Sequence, residues 1–129
     1  MRISYLLFTH RFIQFDMAYP RSEAFVERQI DLAEAARALG HPGRLSILEV
    51  LARRNTCNCG DLVDEIPLAQ ATVSQHLKVL KRAGLITGTI EGPRTCYCID
   101  WDTVRRVGEA FNGWFSDIGE AAECCEIIE

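Results

Sequence analysis

Apolar residues at 25, 26, 30, 33, 36 and 39 recur at helical spacing and predict a helix over 23–39, with Gly40 where a helix C-terminus favours glycine. Pro42 suits the first turn of a second helix, in which Leu45, Ile47, Leu48, Val50 and Leu51 make a mostly buried run that ends in Arg53, Arg54 and Asn55. Residues 56–59 are too few for a helix and read as a short strand. A helix of one or two turns follows over 61–65, stopped by Ile66 and Pro67. Over 69–83, Val73, Leu77 and Leu80 are spaced by four and three. This leaves Gln70, Thr72, Ser74, Gln75, Lys78 and Lys81 to turn outward or sideways, and Gly84 ends the helix. Residues 85–91 and 95–100 are rich in β-branched and aromatic side chains, with turn chemistry at Gly92, Pro93 and Arg94 between them, which predicts a hairpin. A final helix over 101–122 carries apolar residues at 104, 107, 111, 114, 115, 118, 121 and 122. That stripe is long for so small a core. Packing residues 102–122 on a symmetric partner, with the helix over 23–39 beside it, would bury Trp114 and Phe115 and give a homodimer.

The fold class predicted is mainly α with a small β-hairpin: a winged helix-turn-helix, homodimeric. Its second motif helix, 69–83, would lie in a DNA major groove with its N-terminal residues at the base edges. Gln70 and Gln75 suit bidentate contacts to adenine, Thr72 and Ser74 reach bases or phosphates, Lys78 meets phosphate, and Arg94 joins this set from the wing. Alone, such a helix face would sooner read as a solvated surface; the hairpin behind it reverses that balance in favour of DNA. His76 reads as a packing or phosphate-contacting residue rather than a metal ligand.

The 129 residues suffice for one domain with a real core, and 48% apolar with 25% charged residues is a globular composition. The domain is expected over 21–123. Residues 1–20 read as a possibly disordered N-terminal extension, since Met17 to Pro20 resembles an ordinary chain start, and 124–129 as an acidic cysteine-containing tail. The net charge of −4 is unevenly spread. Residues 42–106 carry nine basic against seven acidic side chains, whereas 107–129 carry six acidic and none basic. A basic face in the middle of the chain is thus permitted, although charge alone does not predict it. No secretory signal or membrane-spanning run is evident, and a cytoplasmic location is expected.

The six cysteines, 57, 59, 96, 98, 124 and 125, form three close pairs, a pattern of thiol chemistry rather than of spaced disulfides. Alternation along a strand puts Cys57 and Cys59 on one side of the short strand, and Cys96 and Cys98 on one side of the second wing strand. If those strands pair in register, four thiols meet; a slip of one residue undoes the cluster. Adjacent Cys124 and Cys125 suit chelation better than a mutual disulfide. Soft thiolates select arsenite-like ions, Cd(II), Pb(II), Cu(I) or Zn(II).

Three stretches carry a family resemblance: ALGHPGRLSIL from Ala38 to Leu48, CNCGDL from Cys57 to Leu62, and ATVSQHLKVLKRAGLI from Ala71 to Ile86. Over about residues 23–123 the chain resembles the ArsR/SmtB family of metal-responsive repressors, most closely its arsenic-responsive members. The resemblance implies a homodimeric repressor of operator DNA, not an enzyme. It would hold no permanent cofactor and would be released when As(III) or Sb(III) binds cysteine thiolates. Arsenic-responsive members bind the ion through Cys-x-Cys-Asp-Leu-Cys at the start of the first motif helix. Here Gly60 intervenes after the second cysteine and Val63 stands where the third would fall. The metal set expected is Cys57, Cys59, Cys96 and Cys98, with Cys124 and Cys125 as the alternative source of a third ligand, because some members draw ligands from the last helix. The family's Zn(II) and Ni(II) site on that helix needs histidine, and residues 101–123 contain none. Three rival readings stand beside this one. One is a redox-sensing repressor that links Cys57 or Cys59 to Cys96 or Cys98, and another is a structural-zinc module. The third, a thiol oxidoreductase, lacks the Cys-x-x-Cys beside a βαβ unit that such chemistry uses.

Overall fold

The computed structural model describes residues 25–55, 57–91 and 94–122. The chain runs α1 (Glu27–Leu39), α2 (Pro42–Arg54), β1 (Cys57–Asn58), α3 (Cys59–Glu65), α4 (Gln70–Arg82), β2 (Ile86–Glu91), β3 (Arg94–Ile99) and α5 (Trp101–Glu120). This is the winged helix-turn-helix order that the apolar spacing predicts, with α3 and α4 as the motif pair and β2–β3 as the wing.

Each helix end has a local cause. His41 takes the N-cap of α2, its Nδ1 accepting a hydrogen bond from the Gly43 N–H at 2.9 Å, and Pro42 follows at the first helical position. Asn55 ends α2 at φ 65° and Gly84 follows α4 at φ 74°, the left-handed region that these two residue types tolerate best. Asp100 caps α5 by accepting from the Thr103 N–H at 3.0 Å. Gly40, by contrast, sits at φ −76° and makes no use of glycine's freedom to adopt positive φ.

The core is continuous across the helices and the sheet. Ile47 and Leu51 of α2, Leu62 of α3, Val73, Leu77 and Leu80 of α4, and Leu85 and Ile86 entering β2 are all fully buried. Tyr97 and Ile99 of β3 and Val104 and Phe111 of α5 pack at its margin. Leu45 departs from the expected buried run and is 45% exposed, because the core-facing positions of α2 are 47, 50 and 51.

The three strands lie in the order β1-β3-β2, antiparallel throughout. Two boundaries correct the reading of residues 56–59 as one strand. β1 ends at Asn58, and Cys59 and Gly60 already belong to α3, where Asp61 in the first turn complements the helix dipole. The register is also the slipped one: Cys57 stands opposite Tyr97, and Asn58 opposite Cys96. Directly opposed residues share a face of a sheet, so the positions of Cys96 and Cys98 alternate with that of Cys57 rather than matching it. The geometric argument for a single cluster of four thiols does not hold in this register.

Among the described residues no helix is long and apolar enough to cross a membrane. Residues 1–20 and 124–129, with Cys124 and Cys125, lie outside the described residues.

Candidate nucleic-acid interface and its thiol flank

α4 is amphipathic in a way that fixes its orientation. Val73, His76, Leu77 and Leu80 face the core, so the opposite face carries Gln70, Ala71, Gln75, Lys78, Lys81 and Arg82, all exposed. Thr72 and Ser74 are half-buried at its sides. The outward set therefore contains Gln70, Gln75 and Lys78 as the spacing indicates, and adds Arg82 at the C-terminal end. Arg82 follows one turn after Lys78 on the same row, a signal that the sequence carried in its i, i+4 spacing. No side chain caps the α4 N-terminus at Ala69, so its first N–H groups have no side-chain acceptor there.

Beyond α4, Lys81 and Arg82 line a cleft of about 420 Å³ with Thr87 and Gly88 of β2 and Thr103 and Arg106 of α5. The tight turn at Gly84 brings β2 back beside the helix, and this turn makes the cleft. Arg94 opens β3, opposite Glu91.

His76 is a packing residue with polar duties. It is 7% exposed, its ring lies 4.2 Å from that of His41, and its Nδ1 is 3.3 Å from an Arg44 Nη1. A guanidinium only donates, so Nδ1 is the acceptor and the proton of the neutral ring sits on Nε2. That Nε2 is buried without a partner among the described residues. Arg44 also donates through Nε to the Ala38 carbonyl at 2.6 Å and through Nη2 to the Arg37 carbonyl at 2.9 Å, closing the last turn of α1. α4 is thereby tied through one guanidinium to the α1–α2 corner. Burial, then the neighbouring His41 and Arg44, hold the His76 pKa below its usual 6.5.

The cysteines fall into separate places. Cys57 ends up on β1, which pairs with the wing strand β3, whereas Cys59 is the first residue of α3, which packs on α4. The doublet thus spans the junction between wing and helix pair. At the far end of α3, Glu65 is gripped by Arg53, at 3.1 Å, and by Arg54, both from the end of α2. Cys96 and Cys98 are half-buried thiols on β3, opposite Thr89 and Thr87 of β2. Among the described residues no group of three or more His, Cys, Asp or Glu side chains is placed to hold a metal ion.

On the last helix, Phe115 is 59% and Ile118 46% exposed, with Trp114 edge-on to Phe115 at 5.1 Å between ring centroids. Phe25 and Val26, ahead of α1, are 54% and 62% exposed, and Arg28 joins α1 to α5 through Asp117 at 2.6 Å.

Comparison with known proteins agrees with this architecture. The family model described as bacterial regulatory protein, arsR family, matches residues 41–87, from the α2 cap to the start of β2. An HTH-type transcriptional regulator of Methanocaldococcus jannaschii, MJ1325, is 35% identical over 82 residues, covering 64% of this chain and 92% of that protein. The HTH-type transcriptional repressor SmtB of Mycobacterium tuberculosis is 42% identical over 64 residues, covering 50% of this chain and 47% of the repressor, so the match spans about half the length of that relative. The solution structure of Mb0332 from Mycobacterium bovis, described as a homodimeric winged helix-turn-helix DNA-binding domain, superposes with a TM-score of 0.55 at 24% identity, covering 84% of this chain and 93% of that one.

Proposed function

Since the chain belongs to the arsR family of bacterial regulatory proteins, DNA-binding transcriptional regulators and not enzymes, we propose that it is a homodimeric repressor. Its operator is released when As(III) or Sb(III) binds cysteine thiolates. The observation that carries this reading is the position of Cys57 and Cys59 across the β1–α3 junction. An ion bound there pulls on the wing through β1 and on the recognition helix through α3.

The mechanism starts from two copies of α4 held about one DNA turn, ~34 Å, apart. Gln70 and Gln75 read base edges, with Thr72 and Ser74 beside them; Lys78, Arg82 and Arg94 meet phosphates, as does the uncapped helix N-terminus. The exposed Phe115 and Ile118 of α5, with Phe25 and Val26 near α1, supply apolar surface for the two-fold contact. α3 has its C-terminal end fixed by Arg53 and Arg54 at Glu65. Thiolate capture at its first residue therefore tilts it against α4 instead of sliding it. The ion drives release because it binds the DNA-incompetent shape more tightly. A coupling of about 1–3 kcal/mol, typical of allosteric proteins, changes DNA affinity roughly 5- to 150-fold.

The register of β1 with β3 separates Cys96 and Cys98 from Cys57, and Cys124 or Cys125 then becomes the source of the third thiolate. The same register counts against a redox switch that joins Cys57 to Cys96 or Cys98. Cd(II), Pb(II) and Zn(II) share the thiolate chemistry and are the competing inducers. The working location is the cytoplasm, where these thiols stay reduced.

The test is fluorescence anisotropy of the protein's own upstream DNA, reduced and chelated, titrated in turn with arsenite, Cd(II), Zn(II) and peroxide. Release by arsenite that Cys57→Ser abolishes is the expected result. Release by peroxide alone would move the function to redox sensing.

A further inference from the structure

The wing carries a second thiol pair that the inducer reading leaves unused. We propose that Cys96 and Cys98 form a self-contained dithiol site on the face of the sheet turned away from the core, a site for a monosubstituted trivalent arsenical. The inference stands apart from the inducer site and uses neither Cys57 nor Cys59.

Three observations converge on it. Tyr97 and Ile99 of β3 pack against the core. Strand alternation therefore puts Cys96 and Cys98 on the opposite face. Both are thiols, half-buried, in the central strand of the sheet, held by β1 on one side and β2 on the other. The residue across from Cys98 is Thr87, which is exposed, so this part of the face is open to solvent.

The spacing selects the chemistry. Residues i and i+2 of a strand have Cα atoms about 6.7 Å apart with parallel side chains. A disulfide needs Cβ atoms only about 3.8 Å apart, so these two thiols do not oxidise to each other without bending β3. A bridging atom removes that demand, because the two sulfurs lean toward it from either side. Among the described residues no third His, Cys, Asp or Glu side chain completes a metal-holding group with them, so the site drawn from this strand offers two protein sulfurs. Inorganic As(III) seeks a third. A monosubstituted arsenical brings its own carbon and needs two. The reaction is balanced without a redox step: R–As=O and two S–H groups give two As–S bonds and one water, and arsenic stays trivalent.

The test uses phenylarsine oxide on the full chain under reduction by a phosphine, read by intact-mass spectrometry and by competition with added thiols. In Cys57→Ser/Cys59→Ser/Cys124→Ser/Cys125→Ser protein, one phenylarsenic group per chain is expected, with loss of two hydrogens, and it resists 2-mercaptoethanol but yields to a dithiol. A further Cys98→Ser change should weaken retention about 100-fold or more, the usual gain from holding a ligand at two linked points. Should the quadruple variant fail to fold, Cys96→Ser/Cys98→Ser in the otherwise native chain should bind one equivalent fewer than the native protein. An unchanged stoichiometry in that double variant, or an adduct on Cys96 and Cys98 that 2-mercaptoethanol strips as readily as it strips the Cys98→Ser adduct, would overturn the proposal.

Discussion

His76 shows how one side chain can serve packing and electrostatics at once. Its ring fills the space under α4 and accepts from Arg44, and its pKa is depressed by burial, by His41 and by Arg44. The native state therefore binds a proton less readily than the unfolded chain, and stability present above pH ~6.5 is lost as pH falls below that value. Urea midpoints at pH 7.5 and 5.5 should show this decline, and His76→Leu should flatten it. Asp31 works in the other direction. Burial, then Glu27 and Glu34, push its carboxyl up to about 6. The charged form costs stability above that pH, and the cost fades as pH drops from 6 toward 4. Asp31→Asn should raise the melting temperature at pH 7.5 and lose most of that advantage at pH 5. The packing role of His76 was legible in the sequence because it stands three residues after Val73 and four before Leu80, on the apolar side of α4. Its link to Arg44 was not, because 32 residues separate the partners and no periodicity signals a contact of that kind.

At the level of elements, α4 is the proposed DNA interface, and its two faces should fail differently. Leu80→Ala removes a fully buried side chain and should cost about 2–5 kcal/mol in chemical denaturation. Gln75→Ala should leave stability unchanged and lower operator affinity by about 1–3 kcal/mol, relaxing preference at one base pair. Lys78→Ala should weaken binding to all sequences alike and reduce the salt dependence by about one phosphate contact. The apolar spacing revealed α4, the hairpin and α5 because each runs long enough to establish a period. It misplaced the β1–α3 boundary because cysteine, asparagine and glycine at 57–60 set no period, and strand register is decided by pairing, which a single strand does not encode. The four-thiol cluster depended on that register and was lost with it.

For the molecule as a whole, the apolar stripe of α5 outruns the core of one chain. Val107 is buried, while Phe115 and Ile118, two and three turns later, are exposed. If the proposed dimer forms through this stripe, Phe115→Glu should give monomers in sedimentation where the native protein gives dimers, each chain staying helical, and operator binding should weaken with it, since two half-sites are no longer held together. In the proposed mechanism, ion and DNA compete through the shape of the protein. Linkage then requires each to weaken the other by the same factor. The most direct measurement is arsenite affinity for the reduced protein, free and saturated with operator DNA. Affinity should fall on DNA by the factor by which arsenite lowers DNA affinity, within the range of roughly 5- to 150-fold; equal arsenite affinity in the two states would contradict the account.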